Sequence, residues 1–170
     1  MTPQKILVTG NAGSGKSTFA TKLGEKTGLP VFGLDNIVWR SGWVKTPRDE
    51  INAQIQDLIA QPAWIIDGVS SLVERTADTV VFLDISSVRC TWNCAKRNWR
   101  YFFRSRPGLP DNCPEILIVP QLLKIIWRFN ANVRPDILER MARAHAVQTY
   151  YRGRNSMELA KITDSLTMVS

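Results

Sequence analysis

The sequence predicts an α/β protein in which helices cover both faces of a parallel sheet. Short apolar runs alternate along the chain with longer segments that have helical periodicity. Continuous apolar runs are typical of strands buried on both faces, as they are in a parallel sheet. The predicted strands are Lys5–Thr9, Val31–Leu34, Ala63–Ile66 and Thr79–Leu83, with Val147–Tyr151 as a candidate fifth strand.

Helix-start signals and helical spacing place the helices between these strands. Thr46 is expected to cap a helix whose first turn contains Pro47 and Asp49. Asn155 and Ser156 are expected to cap the last helix, with an acidic residue in its first turn. The predicted helices are Gly15–Lys26, the segment that begins at Thr46, Ser87–Phe103, Pro120–Phe129, Pro135–Ala146 and the segment that begins at Ser156.

Length and composition indicate a single domain that spans residues 1–170. The chain has no apolar run near the roughly 18 residues that cross a membrane. Its three cysteines are an odd number, which argues against a disulfide framework. We therefore expect a cytoplasmic protein whose cysteines pack in the core and bind no metal. The net charge of +7 favours an anionic partner, either a nucleotide or a nucleic acid.

A glycine-rich segment between the first strand and the first helix is the strongest functional signal. Residues 10–17 match the pattern G-x-x-x-x-G-K-[ST], whose backbone N–H groups can surround a phosphate. The helix that follows adds free N–H groups and the positive end of its dipole. Lys16 would reach the β- and γ-phosphates, and Ser17 would offer its hydroxyl to Mg²⁺. The residues predicted to contact the nucleotide are Gly10, Asn11, Ala12, Gly13, Ser14, Gly15, Lys16, Ser17 and Thr18.

Three aspartates follow predicted strands, at the edge where parallel sheets bind their ligands. A Mg²⁺–nucleotide site needs a carboxylate there, to bind the metal directly or through water. Asp67 is the first candidate because Gly68 lets a phosphate or a metal shell come close. Asp84 is the alternative, although it could also cap the helix that follows it.

A groove for a molecule that accepts a phosphoryl group is expected beside the second strand, next to the glycine-rich loop. Asp35 would hold an acceptor hydroxyl or a water there. Trp39 could stack on a base or ring of the acceptor, or it could simply pack in the protein. Arg75 could contact an acceptor phosphate. These three residues are the predicted substrate contacts.

Arginine-rich positions form one face of the predicted helix after the fourth strand. Arg97 and Arg100 belong to this face, and Trp92 and Trp99 belong to an apolar stripe on the same helix. Arginines stabilise the charge of a transferred phosphoryl group, so we predict catalytic roles for Arg97 and Arg100. The alternative is an ordinary solvated basic face. A lid-like insertion that carries these arginines is expected at about residues 97–134.

Beyond these features, the chain resembles the DNA topology modulation proteins, a group of adenylate-kinase-related P-loop proteins. The resemblance implies a three-layer P-loop NTPase fold with a five-stranded parallel sheet and a helical lid. It also implies ATP and Mg²⁺ as cofactors, with Asp67 at the metal. Val69-Ser70 and Ser86-Ser87 depart from the family pattern, and the acceptor therefore stays open. The segments that carry the resemblance are Gly10–Thr18, Leu29–Val31, Leu34-Asp35, Trp39, Gly42-Trp43, Trp64–Gly68, Arg75, Ala77–Val80 and Phe82–Asp84.

Three functions remain in competition at this point. The first is a phosphotransferase that moves the γ-phosphoryl group of ATP to a small acceptor, such as a nucleotide or nucleoside. The second is an ATP-dependent nucleic-acid-binding regulator, favoured by the positive charge and by the arginines and tryptophans between Trp92 and Arg104. The third is an ATPase without an acceptor. The sequence leaves both a monomer and a homodimer open.

Overall fold

Residues 3–100, 119–144 and 148–167 are described by a computed structural model, without the side chains of residues 98–100. These residues form seven strands and eight α-helices. The strands are β1 (Lys5–Gly10), β2 (Val31–Gly33), β3 (Trp39–Arg40), β4 (Val44–Lys45), β5 (Trp64–Asp67), β6 (Thr79–Leu83) and β7 (Thr149–Gly153). The helices are α1 (Lys16–Thr27), α2 (Asp35–Val38), α3 (Arg48–Ile59), α4 (Ser71–Thr76), α5 (Ser87–Arg100), α6 (Val119–Asn132), α7 (Arg134–Arg143) and α8 (Ser156–Thr167).

Five strands form one parallel sheet in the order β2-β5-β1-β6-β7, which confirms the predicted fold class. The strand β1 is central, because Val8 lies opposite Asp67 of β5 on one side and Val81 of β6 on the other. The residues of β5 and β6 are all buried. Their continuous apolar sequences therefore follow from burial of both faces of the sheet.

Successive residues of β1 point to opposite faces and enter two separate apolar cores. Ile6 and Val8 belong to a core that includes residues of α1, α5, α6 and α8. Leu7 belongs to the other core, which includes residues of α2, α3 and α4. Helices therefore cover both faces, as the sequence predicts. None of the helices in the described part of the chain is long and apolar enough to cross a membrane.

The ends of two helices test the capping predictions. Asn155 caps α8 as expected, because its Oδ1 accepts a hydrogen bond from the backbone N–H of Glu158 at 2.9 Å. The prediction for Thr46 is wrong. Pro47 precedes α3 and no side chain caps that helix. Thr46 is instead buried, and its backbone N–H donates to the carbonyl of Val38 at 3.0 Å.

The lid-like insertion expected at about residues 97–134 stays a prediction, and its described part includes α6. Leu122 and Ile126 of α6 belong to the same core as Ile6 and Val8 of β1. Phe129 packs with Phe82 of β6, their ring centroids 6.4 Å apart. Residues 119–132 therefore form a helix that packs in the core, over the segment Pro120–Phe129 that the sequence predicts to be helical. Residues 101–118 lie outside the described part of the chain.

A buried carboxylate ties α4 to α7 and β7. Glu74 is only 6% exposed. Its Oε1 accepts hydrogen bonds from Arg140 Nε of α7 at 2.8 Å and from the Tyr150 hydroxyl of β7 at 3.0 Å. Burial, followed by the bond to Glu74, raises the pKa of Tyr150 to about 12. Glu74 therefore joins three elements far apart in the sequence.

We predict that Glu74→Ala lowers the free energy of unfolding by about 2 kcal/mol, because it leaves two polar groups without their shared acceptor. Glu139→Ala is the matched control, because Glu139 pairs with Arg143 at the surface, and its effect should stay within about 0.5 kcal/mol. Urea unfolding at pH 7 measures both values. Equal losses in the two variants would show that the Glu74 contacts add no more than a surface ion pair.

Candidate nucleotide site

The glycine-rich loop leaves the central strand at Gly10 and enters α1 at Lys16. Gly13 adopts a positive φ of 77°, a conformation that side chains disfavour. A Cβ atom at Gly13 would also collide with the carbonyl of Cys90 and lie 2.7 Å from Cys94 Sγ on α5. Glycine is therefore required here both by the backbone conformation and by the close approach of α5.

Lys16 lies across the loop rather than away from it. Its Nζ donates a hydrogen bond to the carbonyl oxygen of Asn11 at 3.0 Å. The backbone N–H of Ser14 points to the same oxygen at 3.2 Å. The side of the loop at Gly15 is open, since a Cβ atom there would meet no atom within 4 Å. The ammonium group thus lies beside the backbone that the sequence predicts to surround phosphates.

Ser17 and Asp67 meet beside this loop, as the predicted metal site requires. The Ser17 hydroxyl donates to Asp67 Oδ2 at 2.5 Å. The register explains the contact, because Asp67 ends β5 opposite Val8 of β1, two residues before the loop begins. Asp67 is 9% exposed, so its carboxylate lies in a mostly buried position at the edge of the sheet.

The chemistry of this pair fits Mg²⁺, which prefers oxygen ligands. Among the described residues, no group of three or more His, Cys, Asp or Glu side chains could hold a metal ion. A metal at Ser17 and Asp67 would therefore rely on nucleotide phosphates and water for its other ligands. That arrangement is typical of Mg²⁺ in nucleotide-dependent enzymes, where one or two carboxylates suffice.

Asp84, the alternative metal ligand, has a different environment. Arg134 binds both of its oxygens, at 2.7 and 3.0 Å, and Arg152 binds Oδ2 at 2.9 and 2.5 Å. Asp84 does not cap α5 either, because the Oγ of Ser86 accepts the N–H of Arg89 at 3.4 Å. Burial favours a higher pKa for Asp84, but the hydrogen bonds from Arg134 and Arg152 outweigh it and lower the pKa below its usual range. The capping alternative for Asp84 is therefore wrong, and the carboxylate joins β6, β7 and α7. Its pairing with two arginines favours Asp67 as the metal ligand, which stays a prediction.

The predicted acceptor residues lie along the same edge. The backbone N–H of Leu34 donates to the Asp67 carbonyl at 2.9 Å, which places Asp35 next to the end of β5. The backbone N–H of Trp39 bonds to the carbonyl of Asp35, one helical turn earlier. Trp39 therefore follows directly after α2, where the chain becomes extended and enters β3. Trp39 also packs edge-on against Trp43, with ring centroids 5.3 Å apart.

The predicted arginines are less closely tied to the loop. Arg97 is half-buried, and its Nη2 lies 3.7 Å from the Sγ of Cys94, the residue that contacts Gly13. The side chain of Arg100 lies outside the described part of the chain. Arg75 is exposed near the end of α4, and no described hydrogen bond or ion pair joins it to the loop. The roles of these three arginines stay predictions.

Sequence analysis did not predict two side-chain hydrogen bonds that hold the loop against α5 and α6. Asn93 of α5 donates from Nδ2 to the carbonyl of Gly13 at 2.9 Å. The side chain of Asn11 donates from Nδ2 to the carbonyl of Ile126 on α6 at 2.8 Å. The only available signal for Asn93 was its position within the arginine-rich face of α5. Nothing local in the sequence indicates the contact of Asn11, whose partner is 115 residues away.

Solved structures resemble the whole chain at low sequence identity. Shikimate kinase from Bacteroides thetaiotaomicron is 14% identical with a TM-score of 0.54, covering 98% of each chain. Shikimate kinase from Acinetobacter baumannii, in complex with shikimate, is 13% identical with a TM-score of 0.57, covering 98% of this chain and 92% of its own. Gluconokinase from Sinorhizobium meliloti 1021 is 17% identical with a TM-score of 0.50, covering 99% of this chain and 98% of its own.

No protein-family model matches the sequence, and no curated protein does. The resemblance to DNA topology modulation proteins therefore stays a prediction. The structural likeness nevertheless agrees with a five-stranded parallel sheet covered by helices on both faces. The chain has a P-loop NTPase fold, which it shares with these shikimate kinases and this gluconokinase.

The ion pairs of Asp84 predict that part of the free energy of unfolding is lost at acidic pH. A carboxylate with a lowered folded pKa stabilises the protein above its unfolded pKa, about 3.9, and this contribution is lost as the pH falls through the folded pKa. We expect Asp84→Asn to cost about 2 kcal/mol at pH 7. The difference from the wild type should shrink below about pH 4. Urea unfolding between pH 7 and pH 3 tests this, and a difference that stays constant down to pH 3 would contradict the assignment.

Proposed function

We propose that this protein is an ATP-dependent phosphotransferase that moves the γ-phosphoryl group of ATP to a small acceptor. The observation that carries the proposal is the meeting of Ser17 and Asp67 beside a glycine-rich loop crossed by Lys16. The similar structures, two shikimate kinases and a gluconokinase, support a small acceptor. A nucleotide or a nucleoside is the acceptor class that we favour from the sequence.

The loop and the start of α1 would bind the phosphates of the nucleotide. Backbone N–H groups of residues 10–18 would donate to phosphate oxygens, with the positive end of the α1 dipole behind them. Lys16 would exchange the neutral carbonyl of Asn11 for a phosphate oxygen, which is the stronger acceptor because it is charged. Mg²⁺ held by Ser17 and Asp67 would neutralise charge on the β- and γ-phosphates.

The acceptor would bind on the side of Asp67 that faces β2 and α2. Asp35 would orient the attacking hydroxyl or accept its proton, and Trp39 would cover one face of the acceptor. Arg75 would bind an acceptor phosphate if the acceptor carries one. Arg97 and Arg100 would stabilise charge on the transferred group. The position of Asp35 and Trp39 near the end of β5 supports their roles, because a transferred group must pass directly from donor to acceptor.

We predict that Lys16→Met lowers phosphoryl transfer by about 10²- to 10³-fold, because one fixed positive charge is lost from the phosphates. Lys26→Met is the matched control. Lys26 lies on the same helix, but it pairs with Asp164 at the surface. The assay incubates protein and MgATP with a pool of nucleosides, nucleotides and small metabolites and identifies products by mass. Circular dichroism verifies that both variants are folded.

The same assay separates the competing functions. Equal product formation by Lys16→Met and the wild type would contradict the proposal. ADP formation without any phosphorylated acceptor would indicate an ATPase. If the protein forms no ADP but is retained on DNA with a steep dependence on salt, the nucleic-acid-binding regulator would be favoured instead.

We also predict that Asp67→Asn raises the Mg²⁺ concentration for half-maximal activity by at least about tenfold, because a charged ligand becomes neutral. The variant retains an oxygen that can accept the Ser17 hydroxyl, so the fold around it should survive. Asp49→Asn, at an exposed position of α3, is the control with the same change of charge. An unchanged Mg²⁺ requirement in Asp67→Asn would rule out Asp67 as the metal ligand.

A further inference from the structure

The glycine-rich loop is joined to α6 by a series of side-chain hydrogen bonds. Asn11 is 1% exposed, and its Nδ2 donates to the carbonyl of Ile126 at 2.8 Å. The hydroxyl of Ser87, the first residue of α5, donates to the same carbonyl at 3.3 Å. Asn130 of α6 in turn donates from Nδ2 to Ser87 Oγ at 2.9 Å. The Ile126 carbonyl of α6 thus accepts hydrogen bonds from the loop and from α5, and Asn130 links Ser87 back to α6.

The two bonds to the Ile126 carbonyl lie where water does not compete with them, whereas Asn130 itself is exposed and its bond to Ser87 is part-buried. Asn11, Ser87 and Ile126 are all buried, at 1%, 4% and 0% exposure. Hydrogen bonds in such surroundings are stronger than at the surface, and linked donors and acceptors polarise one another. Ser87 is the junction, because its hydroxyl accepts from Asn130 and donates to Ile126. Loss of either partner would leave a buried polar group with one bond fewer.

Among the described residues, the side chain of Asn11 is hydrogen-bonded only to α6. Its Oδ1 has no hydrogen-bond partner among the described residues, so the bond to Ile126 determines how its side chain is oriented. The carbonyl of the same residue accepts the bonds from Lys16 Nζ and from the Ser14 N–H. The position of the Asn11 backbone, and with it the contact of Lys16, therefore depends on where α6 places its carbonyl.

We infer that Ser87 and Asn130 are positioning residues for nucleotide binding, acting through the Ile126 carbonyl and the Asn11 side chain. This inference rests on the proposed function, because it concerns the site where the phosphates of ATP would bind. The two residues hold the loop in the shape that surrounds a phosphate, although neither lies in the loop. Binding of a nucleotide and the position of α6 are coupled, and such coupling acts equally in both directions.

The test compares two changes of the same kind on α6. Asn130→Asp keeps the shape of the side chain but removes the donor, so Ser87 would turn its hydroxyl toward the new carboxylate and away from Ile126. Asn132→Asp makes the same change of charge at an exposed position of the same helix. Ser87→Ala removes the junction itself. Calorimetric titration with the MgATP analogue AMP-PNP measures the dissociation constant, and thermal unfolding measures stability.

We expect Asn130→Asp and Ser87→Ala to weaken AMP-PNP binding by about three- to tenfold, the worth of one buried hydrogen bond. Asn132→Asp should bind like the wild type. A purely structural role would lower the melting temperature and leave the dissociation constant of the folded protein unchanged. Equal dissociation constants in all four proteins would therefore overturn the inference. If the wild type itself binds no AMP-PNP, the proposed function fails instead.

The reverse direction of the coupling gives a second readout. Amide hydrogen exchange in residues 119–132 should slow when AMP-PNP binds to the wild type, because the loop then fixes the Ile126 carbonyl. In Ser87→Ala, at nucleotide concentrations that saturate the site, this protection should be reduced. Protection that is equal in the two saturated proteins would contradict the coupling through Ser87.

Discussion

The carboxyl end of β1 is the constraint on which the rest of the structure depends. This strand pairs with β5 on one side and β6 on the other, so Gly10 emerges between the ends of two buried neighbours. The chain must then turn into α1 within a few residues, and the first turn of that helix brings Ser17 within 2.5 Å of Asp67. The parallel register of the sheet therefore positions the loop and its carboxylate together.

Three aspartates at the same edge have three different environments. Asp67 is mostly buried and accepts a hydroxyl proton from Ser17. Asp84 binds two guanidinium groups, from Arg134 and Arg152, which lower its pKa and make it a structural link between strands and helix. Asp35 is exposed at the start of a single helical turn. Asp84 is thus a structural link, while the metal role of Asp67 and the acceptor role of Asp35 stay proposals.

Sequence analysis predicted the features that depend on neighbouring residues. The strands were visible because burial of both faces requires continuous apolar runs, and the loop was visible because its glycines and Lys16 lie within eight positions. The helix α2, the strands β3 and β4 and the helix α4 were not predicted, since they are too short to show a periodicity. The partners of Asp84 are 50 and 68 residues away, and only the folded chain identifies them.

Phosphorus NMR of AMP-PNP tests the central claim most directly, since it observes the phosphates themselves. The account predicts that the protein, in the presence of Mg²⁺, shifts or broadens the β- and γ-phosphorus resonances, because backbone N–H groups and Lys16 surround these groups. The same resonances should change far less with Lys16→Met. Resonances that are unaffected by an excess of the wild-type protein would contradict the assignment of the loop as a phosphate site.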